Sequence, residues 1–149
     1  MRVMYTVRLA TLDDFHDVFR RTKAFNVVEE IEIADAALEA GLRRLLAEPS
    51  LGGAWLVLHD GAIIGHAVVT YGYDLEYGGA DSVLTEFWID EDARGGGAGA
   101  AALELIIGEL RARDVKALHL HVRPENPAMR LYTRAGFVTS PRLVMSRPL

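Results

Sequence analysis

One stretch constrains this chain more than any other: residues 82–113, where an apolar run meets a glycine cluster and then a long amphipathic segment. Val83 to Ile89 is rich in β-branched and aromatic residues and reads as a strand. Arg94, Gly95, Gly96, Gly97, Ala98 and Gly99 then form a cationic loop with almost no side chains. Leu103, Ile106, Ile107 and Leu110 recur at helical spacing, so a helix starts directly behind the loop. A strand that feeds a glycine-rich helix start is an anion cradle. The first helical N–H groups lack partners, the helix dipole adds positive potential, and glycine lets a phosphate reach the backbone. With the next amide at Ala100 and the fixed charge of Arg94, residues 94–100 are the expected site of a diphosphate.

Three loop types bind such groups. A P-loop requires a Lys after its glycines, and none follows here. The dinucleotide fingerprint is formally met by Gly97, Gly99 and Ala102. It calls for an acidic residue about 20 positions on to hold a ribose hydroxyl. The next strand ends His121, Val122, Arg123 instead. The third type, R-x-x-G-x-G, is met by Arg94, Gly97 and Gly99.

With that loop, the strand E-F-W-I-D before it and L-H-L-H-V-R-P-E-N-P-A-M-R-L-Y-T-R-A-G-F after it, the chain resembles the GNAT superfamily of acyl-CoA-dependent N-acetyltransferases. Val122, Asn126, Tyr132, Gly136 and Phe137 carry the second half of the resemblance; Met129 departs from it, standing where the family usually has Ala. The resemblance implies a single mixed α/β domain over residues 1–149, a twisted, mostly antiparallel seven-stranded sheet flanked by about four helices. It implies acetyl-CoA as the acyl donor, bound through the loop and through the strand Phe87, Trp88, Ile89, whose backbone would pair with the pantetheine arm and polarise the thioester. Asn126 would touch the same arm, and Tyr132 would serve as general acid to the leaving thiolate. It also implies that two subunits can pair as a homodimer through a sheet edge or the C-terminal strands.

Glu86, a carboxylate among apolar neighbours on the central strand, is the candidate general base, with an ordered water as the alternative. Glu29, Glu30, Tyr73 and Glu76 are candidate acceptor contacts: in resembling proteins the helix pair near the N-terminus and its linker cover the acceptor pocket, and the aromatic, glycine-punctuated loop Tyr71–Gly79 is by its own composition a second candidate wall. The rival readings are a non-catalytic acyl-CoA sensor, a nicotinamide oxidoreductase, and acetylation of a protein N-terminus or lysine.

Composition narrows the classes. A net charge of −5 disfavours nucleic acid as a partner and favours a small cationic amine. With no cysteine there is no acyl-enzyme through Cys and no thiolate metal site, so direct attack in a ternary complex is expected. His119 and His121 share a strand face, but Asp114 and Glu125 lie outside that strand, and no metal is expected. No apolar run approaches the roughly 20 residues of a membrane span, and no signal-peptide pattern is seen, so a cytoplasmic location without membrane partners is expected.

Elsewhere, Tyr5, Val7 and Leu9 alternate as a first strand, and Thr11 with Asp14 reads as a capping box. Leu38, Leu42, Leu45 and Leu46 give a second helix from about Asp35 to Glu48. Asp60-Gly61 marks a hairpin between Trp55–His59 and Ala62–Thr70. Lys116–Val122 reads as a strand, Asn126 as the cap of a short helix with Pro127 at its first position, and Phe137–Thr139 and Leu143–Ser146 as two closing strands.

Overall fold

A computed structural model describes residues 4–149 of the chain. Alternating apolar side chains set two faces on every strand, and the sheet is built from five: β1 (Tyr5–Leu9), β2 (Gly52–His59), β3 (Ala62–Asp74), β4 (Gly79–Ile89) and β5 (Ala117–Leu120). They lie in sequence order, antiparallel from β1 to β4, with β5 parallel to β4. The Asp60-Gly61 turn closes the β2–β3 hairpin as its sequence requires.

Alternation along β2 separates two cores. Ala54 and Leu56 face Phe15 and Val18 of α1 (Phe15–Glu29), Leu42 of α2 (Asp35–Ala47) and Val68. Trp55 faces the other way, toward Ala67, Val69 and Leu84 and the buried Leu103, Ile106 and Leu110 of α3 (Ala98–Ala112). Leu131 and Tyr132 of α4 (Met129–Arg134) pack on that second side. Burial of such side chains is worth roughly 1.5–3 kcal/mol each before the entropy of ordering them is subtracted.

The capping box forms, but it caps a 3-10 turn, Leu12–Asp14, that leads into α1. α1 continues through residues 22–29, where no clean period shows, and ends at Glu30 in the left-handed region. β5 is shorter than the expected Lys116–Val122. α4 starts at Met129, two residues beyond the proline; Asn126 instead turns the chain before it, its Oδ1 accepting from Ala128 N–H at 2.9 Å.

The strand count differs from the expected seven. Among the described residues, 137–149 join no sheet, and Val138, Leu143 and Met145 are exposed. Local bonds compete there. Pro141 has no N–H to give a ladder. Arg142 N–H donates to the Ser140 hydroxyl at 3.1 Å, and Arg142 Nη1 reaches Glu76 Oε2 at 2.9 Å.

Candidate functional site

β4 is where the sheet opens. Its parallel pairing with β5 runs from Asp81↔Ala117 to Leu84↔Leu120 and stops there. On its other side the register with β3 shifts at the same height: Val69 pairs with Leu84, but Val68 pairs with Glu86. Thr85 is the extra residue of a β-bulge, its hydroxyl donating to Val68 O at 3.3 Å. Beyond the bulge the strand changes faces. Leu84 and Phe87, three apart, both belong to the α3 side, and Glu86 joins Val68 on the α1 side.

The opening is a cavity of about 540 Å³. One wall is Thr85–Ile89 of β4, and the opposite wall is Leu120, His121 and Val122. At one end lie Arg94, Gly95, Gly97, Ala98 and Gly99, with Asn126 nearby; Glu86, Tyr132 and Glu29 face the same space. The free edge of β4 beyond Leu84 offers backbone groups to an extended ligand as an added strand would.

The loop is shaped for an anion. Gly97 is the N-cap of α3 at φ 86°, and a Cβ placed there would meet nothing within 4 Å, so glycine is required by backbone conformation and not by crowding. The first intrahelical bond shown is Ala101 N–H to Gly97 O at 3.1 Å, which leaves the amides at 98–100 in the unpaired positions of a helix start. Arg94 is held rather than loose: its Nε donates to Ile89 O at 2.8 Å and its guanidinium lies 4.7 Å from the Trp88 ring centroid. Tyr5 on β1 donates its hydroxyl to Gly96 O at 3.2 Å, so Gly96 braces the loop from behind and does not line the cavity.

A phenol and a carboxylate, Tyr132 and Glu86, line the same cavity. Burial pushes the Tyr132 phenol above its usual value, and the Glu29 carboxylate pushes it further, so it stays protonated well above neutral pH. Glu86 keeps about a sixth of its side chain exposed (17%), and its Oε1 lies 3.2 Å from Nε2 of the fully buried His66.

Two residues not anticipated from the sequence fix this end of β4. Arg21 of α1 is buried and donates Nε and Nη2 to Asp90 at 2.9 and 2.8 Å; Trp88 Nε1 donates to the same carboxylate at 3.1 Å. Burial alone would raise the Asp90 carboxyl, but the Arg21 hydrogen bonds and charge outweigh it and hold it below the usual range. A polar residue on the apolar stripe of α1 was the available signal, since a buried Arg needs an acid.

Of the expected acceptor contacts, the structure brings only Glu29 to the cavity. Glu30 lies outside it, paired with Arg123 Nη1 at 3.5 Å, while Arg123 Nη2 donates to Glu29 O at 3.3 Å. Tyr73 and Glu76 lie at the far end of the β3–β4 hairpin, because both strands run on until only residues 75–78 form the turn. Tyr73 pairs with Ala80, four residues along β3 from Val69↔Leu84 at the near edge of the cavity, on the order of 13 Å away. At that end the acid that meets His119 is Asp81, at 3.2 Å, not Asp114 or Glu125; Asp74 adds a third group of ligating type, with all three ligand atoms within 4.8 Å.

Residues 12–137 match the model of the Acetyltransferase (GNAT) family. The chain belongs to the GNAT acetyltransferase family. A salt-marsh integron cassette protein, HFX_CASS3 from the mobile metagenome of Cole Harbour, superimposes on this GNAT chain with a TM-score of 0.83 at 30% identity, covering 96% of this chain and 90% of that one. A predicted acetyltransferase from Clostridium acetobutylicum, solved with acetyl-CoA, shares the fold (TM-score 0.79, 19% identity, 97% and 96% covered). A mycothiol acetyltransferase from Actinosynnema mirum is 34% identical over 82 residues, 44% of this chain. The chain spans only 28% of that relative's length. Acyl transfer is thus the activity of this GNAT domain's family, and no helix in the described residues is long and apolar enough to cross a membrane.

Proposed function

We propose that this GNAT domain transfers an acetyl group from acetyl-CoA to the primary amine of a small cationic molecule, by direct attack within a ternary complex. The observation that carries the reading is that one cavity is lined at once by the glycine loop, by the carboxylate of Glu86 and by the phenol of Tyr132.

Acetyl-CoA supplies an acetyl thioester already activated toward amines. The chain's residues fit it: bare amides at 98–100, a held Arg94, and an unpaired strand edge at Phe87, Trp88 and Ile89 for the amide-bearing arm. An N–H of that edge polarises the thioester oxygen. Glu86 accepts the proton that the amine must lose, and Tyr132, kept protonated by burial and by Glu29, gives a proton to the departing thiolate. The C–N bond forms as the C–S bond breaks, and the proton lost at one end of the cavity is balanced by the proton given at the other. Phe25 and Val28 of α1 line the Glu29 side, so the acceptor pairs a cationic amine with an apolar portion.

Calorimetry with acetyl-CoA, followed by thiol release and mass detection of the acetylated product over polyamines, amino acids, aminoglycosides and peptides, tests this. Micromolar binding with release above background for a cationic amine is expected. Absence of acetyl-CoA binding by folded protein overturns the reading. Binding with no release across the whole panel leaves a non-catalytic acyl-CoA module.

A further inference from the structure

Within the apolar run of β3 stands one imidazole, His66, and it is fully buried. It does not line the cavity. Its Nε2 lies 3.2 Å from Glu86 Oε1, and its Nδ1 has no hydrogen-bond partner among the described residues. The contact exists because of the bulge at Thr85: His66 pairs with Trp88 and Val68 with Glu86, so the histidine and the glutamate are diagonal neighbours on one face.

We infer that His66 is a positioning residue for Glu86, a neutral imidazole held as the Nε2–H tautomer whose N–H fixes the carboxylate that takes the amine proton. This rests on the acetyl-transfer reading above and adds a residue to it.

Three protonation states compete, and burial selects among them. With its proton on Nδ1, the ring would leave a buried donor unmet and turn a lone pair toward a carboxylate oxygen. The imidazolium would also leave the Nδ1 donor unmet and add a charge with no exposure at all. The neutral Nε2–H form donates to Glu86 and leaves only an acceptor lone pair unused, the smallest cost. The two carboxylate oxygens then differ in what they do. Oε1 is tethered to His66, and the other oxygen takes the proton as the amine N–H bond breaks and the carboxyl O–H forms. His66 gains and loses no proton. The remaining charged and titratable groups facing this cavity are Glu29 from α1, Arg94 before α3, His121 after β5 and Tyr132 from α4. None of them makes the Glu86 contact that His66 makes.

Nitrogen NMR of the histidine-labelled protein tests the tautomer without any turnover. A neutral Nε2–H signal for His66 is expected; an Nδ1–H tautomer or an imidazolium overturns the inference. His66→Leu is expected to lower kcat by about 10–100-fold. The acetyl-CoA dissociation constant should not change. His66→Gln keeps an N–H near the same place and should recover most of the activity. Full kcat in the leucine variant, or a glutamine variant no better than leucine, makes the residue packing only and overturns the role. Lack of acetyl-CoA binding in the unaltered protein would instead defeat the acetyl-transfer reading, leaving the NMR result to stand by itself.

Discussion

Arg21 in the first helix grips both oxygens of Asp90 at the end of the fourth strand, across 69 residues of chain and at 2.9 and 2.8 Å. The pair joins α1 to the stretch that leads from β4 into the anion loop, so the wall bearing Glu29 and the wall bearing Glu86 keep their separation. Arg21→Met would leave Asp90 facing the interior without its cation. Removing one partner of a buried pair is expensive, and here the loss should be about 2–3 kcal/mol, at the low side because a quarter of Asp90 reaches solvent. Urea unfolding measures it, and a loss below about 0.5 kcal/mol would mean that the pair is incidental.

The Arg8–Asp14 pair gives a pH dependence of definite sign. Two hydrogen bonds from Arg8, at 2.9 Å each, and one from Thr11 N–H hold the Asp14 carboxyl at about 2, below its ordinary 3.8. A depressed carboxyl stabilises the fold fully above roughly pH 4 and loses that contribution as the pH falls through about 2. Arg8 is half exposed, so solvent screens the bond and the contribution is about 1–2 kcal/mol. Asp14→Asn should therefore flatten the acid side of the stability curve while lowering its neutral plateau, as thermal melts from pH 2 to 7 would show.

Tyr132→Phe keeps the ring that packs 5.8 Å from Phe137 and removes only the hydroxyl. Stability and acetyl-CoA affinity should change little, and kcat should fall about 100-fold or more. Steady-state kinetics across pH 6–10 decides; unchanged kcat would remove Tyr132 from the mechanism.

Two glycines of the same helix should respond oppositely. Gly97→Ala forces a Cβ into the left-handed region at φ 86° and should cost about 1 kcal/mol, with acetyl-CoA binding weakened at least tenfold as the amides turn away. Gly108→Ala sits in the interior of α3, where an added Cβ meets nothing within 4 Å, and should stabilise by about 0.5–1 kcal/mol without affecting binding. Melting and calorimetry on both variants give the comparison.

What the chain spells out locally, it delivers. The strand, glycine loop and helix from Val83 to Leu110, the Thr11–Asp14 box and the Asp60-Gly61 hairpin all depend on neighbours a few residues apart, and each forms. The family is legible for the same reason, because its loop and its N-to-Y block are short-range patterns. The start of α4 is less legible and falls two residues later than the proline suggests, since an Asn that turns the chain and an Asn that caps a helix use the same side-chain bond.

Register belongs to another scale. Whether Glu86 faces α1 or α3 hangs on the single extra residue at Thr85, and a one-residue slip exchanges the faces of a strand while leaving its composition untouched. Only the assembled sheet sets His66 beside Glu86, ends the β4–β5 pairing at Leu84 so that a cavity opens, and extends β3 and β4 far enough to carry Tyr73 and Glu76 away from it. The sequence by itself determined which groups could take part; pairing between strands distant in the chain determined which of them meet.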